Sequence, residues 1–124
     1  MKVVNSENAP KAIGPYSQAI LSKDILFVSG QLPIDPKTGE MVEENIEVQT
    51  IMVLRNIEAI LNKEGMTLKN IIKSDVYLSD MNNFAKFNES YSRVLGDHKP
   101  ARVTVEVSRL PKDSLIEISV IASK

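Results

Sequence analysis

The 124-residue chain has no cysteine and no tryptophan, and histidine occurs once, at position 98. Without cysteine there are no disulfides, no thiolate nucleophile and no cysteine-ligated metal. With His98 alone beside Lys99-Pro100, a Ser-His-Asp arrangement would have to run through a turn; the plainer reading is a solvated loop residue. No apolar run approaches membrane-spanning length, and the start, MKVVNSENAP, lacks the basic-then-apolar profile of a signal peptide. A cytoplasmic protein is expected. A net charge of −1 and a pI near 5.8 leave no basic footprint for a nucleic-acid backbone. G-x-G-x-x-G, the P-loop, G-x-S-x-G and H-E-x-x-H are all missing. So are solenoid-period repeats and low-complexity stretches.

What is present is ordinary globular composition, 43% hydrophobic and 25% charged, enough for one domain spanning 1–124 with a real core. Lys2 to Asn5 reads as a short strand. Ser17 to Ser22 and Ile25 to Ser29 read as a hairpin turning at Lys23-Asp24, and a long loop from Gly30 to Glu44 carries a turn at Asp35 to Gly39. A helix follows, capped near Asn45 and stopped by Gly65, with Thr50, Val53, Leu54, Ile57, Ile60 and Leu61 as its stripe. Ile71 to Ser79 is a strand with Ile72, Val76 and Leu78 on one face. Asp80 caps a second helix that ends before Gly96, with Phe84, Phe87, Tyr91, Val94 and Leu95 as its stripe. The predicted order is β-β-β-α-β-α-β-β, an α+β two-layer domain with both helices on one face of the sheet.

The run from Pro100 to Ile121 reads as two strands joined by a Pro-containing turn. Alternation puts Ala101, Val103, Val105 and Val107 on one face and Arg102, Thr104 and Glu106 on the other. On the second strand Ile116, Ile118 and Val120 oppose Leu115, Glu117, Ser119 and Ile121. One face is predicted core. The other, mixed face is expected to meet a crevice or a second subunit, and on it Arg102 could approach Glu117 from the neighbouring strand. A guanidinium fork for a small carboxylate, beside a carboxylate that handles water, is a candidate hydrolytic site.

Three further stretches could carry chemistry. Gly14-Pro15-Tyr16-Ser17-Gln18 enters a strand after a rigid turn, which would place the Tyr16 hydroxyl; a half-buried edge tyrosine is the plainer alternative. Ser29-Gly30-Gln31 ends a strand, where glycine lets the backbone approach a ligand, or simply makes a turn. Asn88 puts a carboxamide beside the apolar stripe of the second helix, or is a surface residue. Arg102 and Glu117 have a structural reading too, as strand ion pairs, Arg102 with Glu106 or Glu117. Glu40, Glu43 and Glu44 read as a solvated loop, not a metal site.

Taken together, Ala12 to Gln18, Ser29 to Glu40, Phe84 to Tyr91 and Pro100-Ala101-Arg102 through Ile118 resemble the RidA (YjgF) family, nearly end to end and in order. The resemblance implies a chorismate-mutase-like fold and a homotrimer with its sheets packed into a central barrel and ligand sites between subunits. It implies hydrolysis of 2-imino acids such as 2-iminopropanoate and 2-iminobutanoate to 2-keto acids and ammonia, with no cofactor. Carried over by position, Arg102 corresponds to the carboxylate-binding arginine, and Tyr16, Ser29, Gly30, Asn88 and Glu117 to other pocket positions. Two residues depart from the common pattern: Thr104 stands where many relatives have cysteine, and Ser119 where a second acidic residue is common. Imine hydrolysis needs no covalent thiol, so a backbone carbonyl at Thr104 could serve. The expected division of labour gives Arg102 the substrate carboxylate and Glu117, with the Thr104 carbonyl as a candidate aid, the attacking water. Two other readings compete: a ribonuclease inhibiting translation, and a non-catalytic trimer binding a small carboxylate.

Overall fold

In the computed structural model, which describes residues 1–124, the chain runs β1 (Lys2–Val4), β2 (Ala19–Ser22), β3 (Ile25–Gln31), α1 (Ile46–Lys63), β4 (Ile71–Leu78), α2 (Phe84–Leu95), β5 (Ala101–Glu106) and β6 (Ile116–Ser123). The strands form one sheet in the order β1-β2-β3-β6-β4-β5. Every neighbouring pair is antiparallel except β4 and β5. That exception follows from the connection: a helix between two adjacent strands carries the chain back to the starting end, so the strands run parallel. Both helices cover the same face, giving the predicted two-layer α+β architecture and element order.

Local chemistry sets the helix ends. The Asn45 side chain accepts the Val48 amide at 3.0 Å, opening α1, and Gly65 at φ 71° closes it. Val53, Leu54, Ile57, Ile60 and Leu61 recur at helical spacing and are fully buried, each contributing about 1.5–3 kcal/mol of burial. Asp80 caps as well, but its carboxylate accepts the Asn82 amide of a single 3₁₀ turn at 81–83. α2 therefore starts at Phe84.

Two predicted faces are wrong. Ile72 is 49% exposed, and Ile71 takes its place in the core. The pairing of β4 with β6 slips between Ile71 and Lys73, which reverses the alternation at that point.

The second error concerns the end of the chain. β5 and β6 are not neighbours, because β4 lies between them. Arg102 and Thr104 register with Ser74 and Val76, whose side chains face the helices; Val103 and Val105 register with Asp75 and Tyr77 on the uncovered face. Glu117 pairs with Tyr77, so it lies on the uncovered face. Arg102 and Glu117 therefore occupy opposite sides of the sheet. Leu115, expected on the mixed face, packs against the core instead.

The uncovered face is apolar for a solvent surface. Val3, Phe27, Val103 and Val105 are all large exposed hydrophobics, and Ile121 pairs with Phe27 among them. No helix is long and apolar enough to cross a membrane.

Candidate active site

Four of the residues singled out in the sequence meet in one cavity. It has a volume of about 450 Å³, and its walls include Tyr16, Ser29, Gly30, Leu32, Ile34 and Glu117, with Lys11 and Lys112 at its border. Its shape begins with an irregularity: the register of β3 against β6 shifts between Val28 and Gln31, so Ser29 and Gly30 leave the regular ladder. Ser29 is held there, its hydroxyl donating to the Ser17 carbonyl at 2.6 Å and its amide to the Gln18 carbonyl at 2.9 Å.

Two buried amides hold the walls. Gln18 accepts the Ser6 amide at 2.7 Å and donates to the Pro10 carbonyl at 2.8 Å, fixing the segment that carries Pro10 and Lys11. Asn56 of α1 donates to the Leu32 and Ile34 carbonyls at 3.2 and 2.9 Å. Neither amide was singled out for this role by sequence reasoning. The available signal was a polar side chain among apolar ones, since Asn56 sits directly beside Ile57 on the buried side of α1.

Glu117 is the chemical group of this cavity. Half-buried, it forms no ion pair or hydrogen bond through its side chain. Burial pushes its carboxyl above the usual carboxylate range. Gly30 is what lets it lie there: a β-carbon added at position 30 would overlap a carboxylate oxygen and come within 2.9 Å of the carboxyl carbon. Tyr16 is half exposed, and its hydroxyl makes no hydrogen bond, so the expected fixed placement of that hydroxyl is not seen.

Arg102 and Asn88 lie elsewhere, in a second depression of about 470 Å³ with Tyr91, His98 and Lys99 among its walls. The Arg102 guanidinium carbon lies 5.1, 5.3 and 5.8 Å from the ring centres of Tyr91, Phe87 and Phe84. It pairs with no carboxylate. Of its proposed ion-pair partners, Glu106 accepts the Met81 amide at 2.7 Å, and Glu117 is across the sheet. Thr104 follows Arg102 on the same face but lines neither cavity, and its hydroxyl oxygen is buried without a partner.

His98 is not the solvated residue expected. Its Nε2 lies 2.7 Å from the Ile71 carbonyl, an acceptor, so the proton sits on Nε2.

The chain thus brings Tyr16, Ser29, Gly30 and Glu117 together, and separately Asn88 and Arg102. It does not join the two groups, because β4 and the thickness of the sheet intervene.

Comparison with known proteins places this arrangement in a family. A sequence model described as endoribonuclease L-PSP matches residues 6–124. A RutC family protein of Pyrococcus horikoshii is 61% identical over 123 residues, covering 99% of this chain and 98% of the relative. A 2-iminobutanoate/2-iminopropanoate deaminase of Salmonella typhimurium is 44% identical over 98% of this chain and 96% of its own. The crystal structure of E. coli TdcF with bound serine superposes with a TM-score of 0.96 at 38% identity, covering 100% of this chain and 99% of that one. These matches run through the residues of both cavities as well as the core, and the chain belongs to the RidA (YjgF) family, also described as endoribonuclease L-PSP.

Proposed function

We propose that this chain is a cytoplasmic hydrolase that converts small 2-imino acids, 2-iminopropanoate and 2-iminobutanoate, to 2-keto acids and ammonia. It works without a cofactor, at sites completed between the subunits of a homotrimer of 1–124 domains. The observation that carries this reading is the separation of two unsatisfied groups. The unpaired Glu117 carboxylate and the unpaired Arg102 guanidinium sit in different cavities, each with half the chemistry a 2-imino acid needs. Packing the apolar open faces of three copies together would cover Val103, Val105 and Phe27 and bring one copy's Arg102 edge toward its neighbour's Glu117. Serine held by the related E. coli TdcF is an amino acid of the same α-carboxylate class.

The chemistry balances with water alone. Arg102 grips the substrate carboxylate through two parallel N–H donors, with Asn88 beside it. Glu117 takes a proton from water as the oxygen bonds to the imine carbon. The proton passes to nitrogen, giving the carbinolamine. Glu117 then carries the hydroxyl proton to nitrogen as the C–N bond breaks, so ammonia leaves with the bonding pair while an oxygen pair closes the keto-acid carbonyl. Tyr16, Ser29 and Gly30 shape the pocket. Thr104, aimed into neither cavity, would contribute only through its backbone carbonyl.

Complementation tests the shared site. Arg102→Lys and Glu117→Gln subunits, each with little activity, are unfolded together in equal amounts and refolded as mixed trimers. Turnover is read with a threonine dehydratase supplying the imine. Random mixing gives about a quarter of the sites an intact Arg102 and an intact Glu117 from different subunits, so activity should return to roughly that level. No recovery, in mixtures whose scattering mass is three times the 13.8 kDa chain mass, would sink the intersubunit site.

A further inference from the structure

Arg102 is an exposed arginine on an edge strand with no carboxylate partner, yet its position is defined. Phe84, Phe87 and Tyr91 follow one another at i, i+3 and i+7 on α2, so their rings share one face. Each ring centre lies within 5.8 Å of the guanidinium carbon, inside cation–π range. The rings are themselves fixed. Phe87 is fully buried and packs on Tyr91 with centres 5.2 Å apart. The Tyr91 hydroxyl is 3.0 Å from the Ser74 hydroxyl, and Ser74 is the residue of β4 in register with Arg102. Tyr91 answers to both neighbours: burial raises its pKa, while the Ser74 hydrogen bond and the Arg102 charge pull it down.

We propose that Phe87, Tyr91 and Ser74 are positioning residues for Arg102. The rings hold the guanidinium through its charge and its faces, which leaves the in-plane N–H donors free. An arginine held by a carboxylate would have those donors already occupied. One held by nothing would lose its side-chain freedom when ligand arrived. The platform avoids both penalties and presents a planar fork to a planar oxyanion. This inference rests on the reading that Arg102 takes the substrate carboxylate.

The test follows the Arg102 Nε–H resonance in the assembled protein, with the unpaired, exposed Arg93 as internal reference, and titrates pyruvate as the carboxylate probe. In the wild type, ring currents should shift the Arg102 signal well upfield of the Arg93 signal. Tyr91→Leu should return it toward that of Arg93. The same substitution should raise the pyruvate Kd and the imine KM by roughly 3–30-fold, the range of one partly desolvated cation–π contact, with kcat falling less than about threefold. Tyr91→Phe, which keeps the ring and loses the tether, should lie between. A merely structural residue would instead lower kcat with the folded fraction and leave Kd alone. Should Tyr91→Leu fail to fold, Ser74→Ala tests the tether with every ring in place, and a raised pyruvate Kd is again expected. An Arg102 signal coincident with that of Arg93 in the wild type overturns the platform, as does a folded Tyr91→Leu with unchanged signal and Kd. Failure of wild-type protein to bind pyruvate while the ring-current shift is present counts against the carboxylate reading and leaves the positioning role standing.

Discussion

Glu117 and Arg102 are both unpaired charges in separate cavities, and the chain secures them by opposite means. The carboxylate rests on backbone: a slip in the β3 ladder and a glycine open the space it fills, and partial burial makes its proton harder to lose. The guanidinium rests on aromatic rings, three of which lie within 5.8 Å of its carbon. An acid meant to exchange protons gains from an environment that shifts its pKa. A cation meant only to grip gains from fixed orientation. Each holding device matches the role proposed for its residue, and the two predict different failures.

Glu117→Gln keeps the shape and removes the base. Turnover in the dehydratase-coupled assay should fall by roughly 10²–10⁴-fold, the usual contribution of a general base, while pyruvate affinity stays close to wild type. Wild-type turnover in this variant would end the general-base role. Arg102→Lys keeps the charge and loses the fork. With each charge-assisted hydrogen bond contributing about 1.5–3 kcal/mol, losing one should weaken pyruvate binding and kcat/KM together by roughly 10–100-fold. An unchanged Kd in calorimetry would place the carboxylate site elsewhere.

pH sharpens the contrast between the two groups. Only ionised Glu117 can accept a proton from water, so kcat/KM should fall as pH drops through its pKa, by up to about tenfold per unit. Because burial raises that pKa, the fall should begin at higher pH than a solvated glutamate would give. Rates measured with chemically generated imine, corrected for its spontaneous hydrolysis, would check this. A profile flat through the acid range would remove Glu117 as the titrating group.

The same comparison explains what the sequence made legible. Three of the four helix limits could be read because their causes are local: Asn45, Gly65 and Gly96 sit where capping chemistry needs them, while Asp80 caps a 3₁₀ turn ahead of α2 rather than α2 itself. The residues of the Glu117 cavity were legible as a motif, since Tyr16, Ser29 and Gly30 flank a predicted hairpin. Their relation to Arg102 was not. Alternation gives the two faces of β5 but not which one meets the helices. The choice of Val103 and Val105 for the core failed because the uncovered face is itself apolar. Nor does chain order reveal that β6 inserts between β3 and β4, since that depends on pairings distant in sequence. Tyr91 and Phe87 read correctly as core stripe, but their ring faces toward Arg102 emerge only from the register of Ser74 with Arg102.

The smallest effect is expected at Tyr16, where geometry and motif part company. The motif marks it as a pocket residue, and it does line the Glu117 cavity. Its ring also lies against the turn, 3.4 Å from where a β-carbon on Gly14 would stand. Its hydroxyl, however, makes no hydrogen bond within the chain, and its side chain is half exposed. The ring can shape the cavity without the oxygen. Tyr16→Phe should therefore keep kcat within about threefold of wild type and change KM little, as expected when an unbonded hydroxyl is removed, whereas Tyr16→Ala, which opens the wall, should raise KM more than Tyr16→Phe does. A loss of about 10² in kcat for Tyr16→Phe would be too large for a wall residue. It would mean that the hydroxyl meets the reacting atoms once the neighbouring subunit is in place, moving Tyr16 from the shape of the pocket into its chemistry.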